Sequence, residues 1–312
     1  MQNYNYQEIT YPSSDGRSTV HGYIYTPKNA TAKGIVQLSH GMIDHVGRYK
    51  ALADYLCSVG YIFAGNDHLG HGRTAPTAED LGFFADRDGY KLVIEDLYGM
   101  NRRLRDMFPA LPLVLLGHSM GSFLARLYIE EHPHSAQGVI IHGTSGPNPL
   151  LPMGRAVAAL VRLLRGPRHR SRLIKSLAFG SYNKRFPKEE GDDAWLTRDI
   201  DRVSDRATDP YTSYIFTAAA YQDLFKMITY SNSKRWFSAY PYAAHTLVIS
   251  GDMDPVGNYG KGPAYVFRHL ALAGRDNISL KLFEGARHEL FNETNSDEVF
   301  EYLKDWLDGV LK

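Results

Sequence analysis

A serine flanked by small residues lies between an apolar run and an amphipathic one. The letters GHSMG at 117–121 fit the pattern G-x-S-x-G, between PLVLLGH at 112–118 and FLARLYIEEH at 123–132. These flanking runs predict a buried strand and a helix, and a sharp turn between them exposes the serine hydroxyl at the carboxyl edge of a sheet. Backbone strain at such a turn is typical of a nucleophile in acyl transfer. The pattern therefore predicts Ser119 as a nucleophile.

A serine hydroxyl is a poor nucleophile at neutral pH, so it needs a base within hydrogen-bond reach and a third group that orients the base. After this kind of turn, the acid and then the histidine follow later strands. His288 comes just after the last apolar run, ISLKLFEG, and is the predicted general base. Asp254 is the predicted acid, because the turn GDMDPV after HTLVISG carries the later carboxylate farther beyond the strand end. Asp252 remains the alternative.

Two backbone amides are expected to bind the oxyanion of the tetrahedral intermediate. One belongs to Met120, at the start of the helix after the serine, and the other to Met42 in the loop LSHGM. We expect the ring of His40 to brace this loop. His68 and His71 could suggest a metal, but no third ligand has matching spacing. The sequence therefore predicts neither a metal nor a cofactor.

The elements that must position these residues alternate along the chain. Short apolar runs separated by helical patterns occupy 34–143 and return at 245–311, which predicts a mostly parallel sheet with helices on both faces. Residues 6–11 and 20–26 indicate an antiparallel strand pair at one edge. From about 145 to 237 the alternation gives way to helical patterns. We predict an α/β core formed by 1–145 and 238–312, interrupted by a helical lid at 146–237.

Composition narrows the range of partners and locations. The chain of 312 residues carries 35 Lys or Arg against 34 Asp or Glu, so it has no overall field that would recruit nucleic acid. No apolar run approaches the roughly 20 residues that a membrane-spanning helix needs. We expect a cytoplasmic protein that acts on a small molecule.

The predicted lid is basic and partly amphipathic. Ten Lys or Arg and no Asp or Glu lie between 145 and 188, and Val157, Leu160, Val161 and Leu164 recur at the spacing of one helix face. Such a segment can lie on an anionic bilayer, which predicts peripheral membrane contact. Alternatively, the apolar stripe packs on the core or on an acyl pocket. The aromatic segment at 211–230 could likewise form the wall of a pocket or the packed interior of the lid.

The chain resembles the monoacylglycerol lipase and lysophospholipase branch of the α/β-hydrolases, a branch often grouped with the serine aminopeptidases. The resemblance rests on the motifs HGMIDHVGRY at 40–49, NDHLGHGRT at 66–74, GHSMGS at 117–122, SGDMDPV at 250–256 and GARHELFNE at 285–293. It implies the α/β-hydrolase fold, with a mostly parallel eight-stranded sheet. It also implies the same site: the triad Ser119, Asp254 and His288, with Met42 and Met120 as oxyanion donors.

One position departs from the family pattern. Where such proteins commonly have glutamate before the histidine of the first loop, this chain has Asp44, which we expect to brace the loop and not to take part in the chemistry. The resemblance fades between about 150 and 235, within the predicted lid. That segment should choose the substrate.

The predicted function is hydrolysis of a carboxylic ester, a monoacylglycerol or lysophospholipid, through an acyl-enzyme on Ser119. An aminopeptidase of the proline iminopeptidase kind stays open, because acidic residues of the predicted lid could hold a substrate ammonium group: Glu189, Glu190, Asp192 and Asp193. A catalytically silent α/β-hydrolase that serves as a binding protein is a further alternative. The complete predicted triad argues against it.

Overall fold

The computed structural model describes residues 2–311, which form one eight-stranded sheet and the helices around it. The strand order is β1-β2-β4-β3-β5-β6-β7-β8, and every pairing from β4 to β8 is parallel. The predicted fold is therefore confirmed. The strands are β1 (Tyr4–Pro12), β2 (Thr19–Pro27), β3 (Gly34–Ser39), β4 (Tyr61–Asn66), β5 (Leu113–His118), β6 (Gly138–His142), β7 (His245–Gly251) and β8 (Ile278–Phe283).

Helices cover both faces of the sheet because the central strands are buried on both faces. Every residue of β3, β4, β5 and β6 is buried, as continuous apolar runs predict. The α-helices are α1 (Lys50–Ser58), α2 (Gly89–Met107), α3 (Met120–Glu131), α4 (Leu151–Arg165), α5 (Arg172–Phe179), α6 (Ile200–Thr208), α7 (Ala218–Ser231), α8 (Lys234–Ala239), α9 (Lys261–Leu272) and α10 (Ser296–Val310).

Side chains of a strand alternate between two separate hydrophobic clusters. In β5, Leu113 and Leu115 belong to the cluster under α2, α3 and α9, whereas Val114 and Leu116 belong to the cluster under α1 and α10. This alternation follows from the two-residue period of a strand. Helices on both faces thus hold β5, and with it the turn that follows β5, in a fixed position.

The antiparallel edge is formed by β1 and β2, each slightly longer than the predicted runs at 6–11 and 20–26. β2 pairs antiparallel with both β1 and β4, so the direction of the sheet changes between β2 and β4. Within residues 2–311, no helix is long and apolar enough to cross a bilayer.

Five helices, α4 to α8, connect β6 to β7. The boundaries of the predicted lid, 146–237, stay a prediction. The four residues of the apolar stripe predicted for α4 do not share one environment. Val157 and Val161 pack against the core, whereas Leu160 and Leu164 are exposed. The packed face of α4 instead includes the small residue Ala158, which is fully buried. Neither alternative given for the stripe describes all of it, since its valines pack against the core and its leucines are exposed.

The close passage of α3 under the sheet generates a testable prediction. A Cβ at Gly121 would lie 1.9 Å from the backbone oxygen of Ser39, so Gly121→Ala requires backbone displacement. We expect a loss of roughly 3 kcal/mol or more in the free energy of unfolding, measured by urea denaturation.

The matched control is Gly309→Ala in α10, where an added Cβ meets no atom within 4 Å. Alanine is the better helix former, so this change should leave stability within about 1 kcal/mol or raise it. Equal effects of the two substitutions would contradict the proposed close passage.

Candidate active site

Ser119 occupies a strained turn between β5 and α3. Its φ of 54° and ψ of −118° lie outside the regions that most side chains adopt. The Ser119 amide donates a hydrogen bond to the His142 oxygen at 2.9 Å, and Ser122 Oγ donates to the Ser119 oxygen at 2.6 Å. The structure therefore places Ser119 on the sharp strand-to-helix turn that its sequence context predicts.

A buried histidine and a buried carboxylate lie at the ends of β8 and β7. His288 Nδ1 and Asp254 Oδ2 are 2.9 Å apart, and the two side chains are 2% and 0% exposed. Asp254 also accepts hydrogen bonds from the amide of Val256 and from Ser250 Oγ. When the carboxylate accepts from Nδ1–H, the other ring nitrogen, Nε2, is left to accept a proton.

The alternative acid, Asp252, makes a different contact. Its Oδ1 accepts a hydrogen bond from the amide of Gly285 at 2.8 Å, which ties the end of β7 to the turn after β8. The structure thus brings Asp254, and not Asp252, to the histidine. Asp252 instead holds the loop that carries His288.

One cavity brings together four of the five predicted site residues, and the fifth, Asp254, lies behind His288. Ser119, His288, Met42 and Met120 all line it. Met120 is the first residue of α3, and a helix leaves its first amides without intrahelical partners. The positive end of the α3 dipole therefore lies at Met120, in the lining of the cavity.

Neutral histidines pack behind the loop that contains Met42. His40 Nε2 accepts a hydrogen bond from the amide of His68 at 2.9 Å, and His40 Nδ1 contacts the Gly41 oxygen. Burial lowers the pKa of His40 and His68, and it lowers that of His71 to about 3. These rings are therefore uncharged at neutral pH, and their contacts brace the loop.

A buried charge network joins the loop of Met42 to the loop of His288. Arg48 donates two hydrogen bonds to Glu289, at 2.9 and 2.7 Å, and a third to Asp44 at 3.0 Å. Burial raises the pKa of Glu289, but the Arg48 charge and hydrogen bonds outweigh it and hold the pKa down to about 2. Asp44 also accepts from the amide of Gly41 and from Tyr49 Oη, consistent with the bracing role expected from the sequence.

Sequence reasoning missed Arg48 and Glu289 as partners, although both lie inside the quoted family motifs. Their 241-residue separation gives no local signal of a contact. The sequence reasoning also missed Trp195 in the segment between α5 and α6. Its ring centroid lies 5.1 Å from that of His288, so the insertion contributes a wall directly beside the imidazole.

The segment that carries Trp195 is hydrogen-bonded to the histidine loop. The amide of Glu289 donates to the Leu196 oxygen at 2.7 Å, and Thr197 Oγ1 donates to the Asn292 oxygen at 2.8 Å. Arg198 Nε donates to a carboxylate oxygen of the buried Glu293. This part of the insertion is thus fixed to the loop that holds His288.

A mostly parallel sheet with a strained serine after its fifth strand, and a histidine–aspartate pair at the same edge, defines the α/β-hydrolase class. The sequence profile of the family described as serine aminopeptidase, S33, matches residues 30–295. The chain therefore belongs to this family.

Among the relatives that match over most of their length are monoacylglycerol lipases and a proline iminopeptidase of Pestalotiopsis fici, which is 23% identical over 289 residues and covers 90% of this chain and 93% of that protein. The chain is 26% identical over 295 residues to the human monoglyceride lipase, covering 91% of this chain and 85% of that protein. It is 25% identical over 289 residues to the monoacylglycerol lipase of Mycolicibacterium smegmatis, covering 91% of each. The structure of a thermostable carboxyl esterase from Bacillus coagulans superposes with a TM-score of 0.91 at 29% identity, covering 98% of this chain and 99% of that one. Within its family, the chain is a carboxylic ester hydrolase.

The Arg48 network leads to a stability prediction. Arg48→Met leaves the buried carboxylates Asp44 and Glu289 without their cation, and breaking a buried pair in this way costs roughly 3–5 kcal/mol. We expect a loss of this size in urea denaturation at pH 7.

Arg73→Met is the matched control, because Arg73 pairs with Glu8 on the surface, where the side chains are 46% and 42% exposed. Such exposed pairs contribute about 1 kcal/mol or less. If Arg48→Met were as mild as Arg73→Met, the network would not hold the two loops together.

Proposed function

We propose that this hydrolase cleaves a monoacylglycerol or lysophospholipid through an acyl-enzyme on Ser119. The observation that carries the proposal is the strained Ser119 turn in one cavity with the hydrogen-bonded His288–Asp254 pair. The full-length similarity to monoacylglycerol lipases supports the substrate class.

In the proposed mechanism, Ser119 Oγ attacks the ester carbonyl while His288 Nε2 takes its proton. Asp254 keeps the imidazole in the tautomer that can accept this proton and stabilises the imidazolium. The amides of Met42 and Met120 bind the oxyanion. The proton then passes from His288 to the leaving alcohol, and the acyl-enzyme forms. A water molecule, deprotonated by His288, releases the carboxylic acid and restores Ser119.

The walls of the cavity support an acyl substrate. Apolar side chains from α3 and α7 line one part, including Phe123, Leu224 and Ile228. Polar groups, including Asn148 and Arg206, lie elsewhere in the lining and can contact the alcohol portion of an ester. An apolar cavity with a few polar groups is the usual form of a site for such a molecule.

We also propose that residues 146–237 act as a lid. The insertion contributes Phe179, Tyr182, Trp195 and Leu196 to the cavity lining. The cavity volume is about 110 Å³, below the 300–1,000 Å³ of most ligand pockets. A long acyl chain therefore requires displacement of these lid side chains.

The aminopeptidase alternative receives less support from the charges around the site. Four lid carboxylates were candidates for holding a substrate ammonium group: Glu189, Glu190, Asp192 and Asp193. In the described part of the chain, none of them lines the cavity. Arg287 pairs with Glu190, and Arg206 pairs with Asp193 at 2.6 Å. The acidic groups that do line the cavity, Asp44 and Glu289, already bind Arg48. An incoming ammonium group would have to displace an arginine.

The proposed function is tested by hydrolysis of p-nitrophenyl esters from acetate to palmitate, a monoacylglycerol, a lysophosphatidylcholine and proline p-nitroanilide. We expect turnover of the esters and of at least one lipid, with the anilide uncleaved. Ser119→Ala should lower kcat by about 10⁴-fold or more and abolish labelling by a fluorophosphonate probe.

Ser58→Ala, a change at an exposed serine of α1, is the control and should retain both properties. Cleavage of the anilide with weak ester turnover would overturn the proposal in favour of an aminopeptidase. Absence of probe labelling in the folded wild-type protein would favour a catalytically silent binding protein.

The outer surface of the lid supports peripheral docking on an anionic bilayer. Large apolar side chains are exposed on and beside α4 and α5: Leu150, Met153, Leu160, Leu163, Leu164, Leu173 and Leu177. The same stretch carries the run of Lys and Arg without an acidic residue. Apolar insertion and attraction to anionic headgroups act together on such a surface.

Co-sedimentation with liposomes tests this docking. We expect binding to phosphatidylserine-containing vesicles at low salt to exceed binding to phosphatidylcholine vesicles. Leu163→Ser, at a side chain that is 81% exposed, should weaken binding, while Leu272→Ser on α9, at a side chain 76% exposed, should not. Equal binding to both vesicle types would refute the docking surface.

A further inference from the structure

A fully buried arginine on the nucleophile helix has no carboxylate partner within the part of the chain that the structure describes. Arg126 lies on α3, one turn beyond the cavity residue Phe123, and is 0% exposed. None of the ion pairs among residues 2–311 includes it. Burying a cation without an anion costs several kcal/mol unless hydrogen bonds and dipoles compensate. The hydrogen-bond acceptors around Arg126 therefore indicate which parts of the chain the guanidinium connects.

The hydrogen-bond partners of Arg126 come from both ends of the insertion. Nη1 donates to Thr144 Oγ1 and the Ser145 oxygen, each at 3.4 Å, just after β6. Nη2 donates to the Ser231 oxygen and to Asn232 Oδ1, at the end of α7. One guanidinium thus bridges the place where the chain leaves the sheet and the place where α7 ends.

Helix and aromatic groups supply the missing negative potential. Ser231 is the last residue of α7, so its carbonyl belongs to the negative end of the helix dipole. The Trp236 ring lies 4.3 Å from Arg126 Cζ, and Trp236 Nε1 donates to the Arg126 oxygen at 2.6 Å. Burial lowers the pKa of Arg126 to about 9, which leaves the side chain charged at neutral pH.

We propose that Arg126 is a positioning residue that fixes the acyl-binding wall relative to Ser119. α3 carries Ser119 at its start, and α7 carries Leu224 and Ile228 in the cavity lining. Arg126 connects the two helices and also holds Ser145, which lines the same cavity. The proposal rests on the ester hydrolase function and assigns to Arg126 a role in acyl-chain selectivity.

The planar guanidinium is needed because the acceptors lie on two sides. It presents five N–H donors in a fixed fork, whereas lysine offers one ammonium at the end of a flexible chain. Asn232 Nδ2 also donates to the Ser145 oxygen at 3.3 Å, so the two ends of the insertion make a direct contact beside the guanidinium. Arg126→Lys keeps the charge and loses the bridge, and Arg126→Met loses both.

The test compares p-nitrophenyl acetate with p-nitrophenyl octanoate. In Arg126→Met we expect KM for octanoate to rise about 10-fold or more, from loss of hydrogen bonds to a charged group. The kcat values and the acetate kinetics should stay within about 3-fold. Arg126→Lys should give an intermediate KM. A purely structural role would lower the melting temperature and leave the octanoate-to-acetate ratio unchanged, which would overturn the proposal.

Arg105→Met is the control, because Arg105 donates to the His134 oxygen on the exposed surface near the end of α3. It should leave the ratio unchanged. If Arg126→Met fails to fold, Asn232→Ala removes one acceptor and the direct contact with Ser145, and it should shift the ratio in the same direction.

Hydrogen exchange separates this proposal from the proposed function. Peptides covering 143–150 and 228–236 should lose protection in Arg126→Lys and keep it in Arg105→Met, whether or not the wild-type protein cleaves esters. Wild-type protein without ester turnover would refute the function alone. Unchanged exchange at both peptides would refute the role of Arg126.

Discussion

The geometry of the site depends on holding Ser119 in a backbone conformation that it would not adopt alone. A non-glycine residue at positive φ of this kind costs on the order of 1–3 kcal/mol. The surroundings impose it: β5 is buried on both faces, the Ser119 amide is bonded to the neighbouring strand, and α3 passes directly beneath β3. The two glycines of the motif permit this passage, since a Cβ at either one would meet backbone at less than 2.5 Å.

The His288–Asp254 pair and the loop of Met42 come from segments that are far apart in sequence, and buried charges hold the Met42 and His288 loops together. Arg48 links the Met42 loop to the residue after His288, and its hydrogen bonds satisfy carboxylates that burial would otherwise protonate. A buried network of this kind is worth little as net stability, yet it penalises any other arrangement of its partners. The loop of Met42 and the loop of His288 are thus held by the same arginine.

The sequence predicted those features of the fold and of the site that are encoded by residues adjacent in the chain. Alternating apolar runs predicted the succession of strands and helices along the chain, and a five-residue pattern predicted the turn at Ser119, because both signals are local. The contacts of Arg48 with Glu289, of Trp195 with His288 and of Arg126 with α7 could not be predicted. Each joins segments distant in the chain, and Trp195 and α7 lie between β6 and β7, where the sequence carries none of the family motifs quoted above. The sequence also left open whether the stripe on α4 is packed or exposed, because helical periodicity shows that a face is apolar but not whether another element covers it.

Because residues 194–198 are hydrogen-bonded to the histidine loop, the segment between β6 and β7 cannot be exchanged independently of that loop. Hydrogen bonds from Glu289, Thr197 and Arg198 make this short stretch part of the frame around the imidazole, although the chain reaches it only after α5. Transplanting an insertion from a relative would therefore also replace the partners of the histidine loop, so a working chimera must inherit both segments from the same parent.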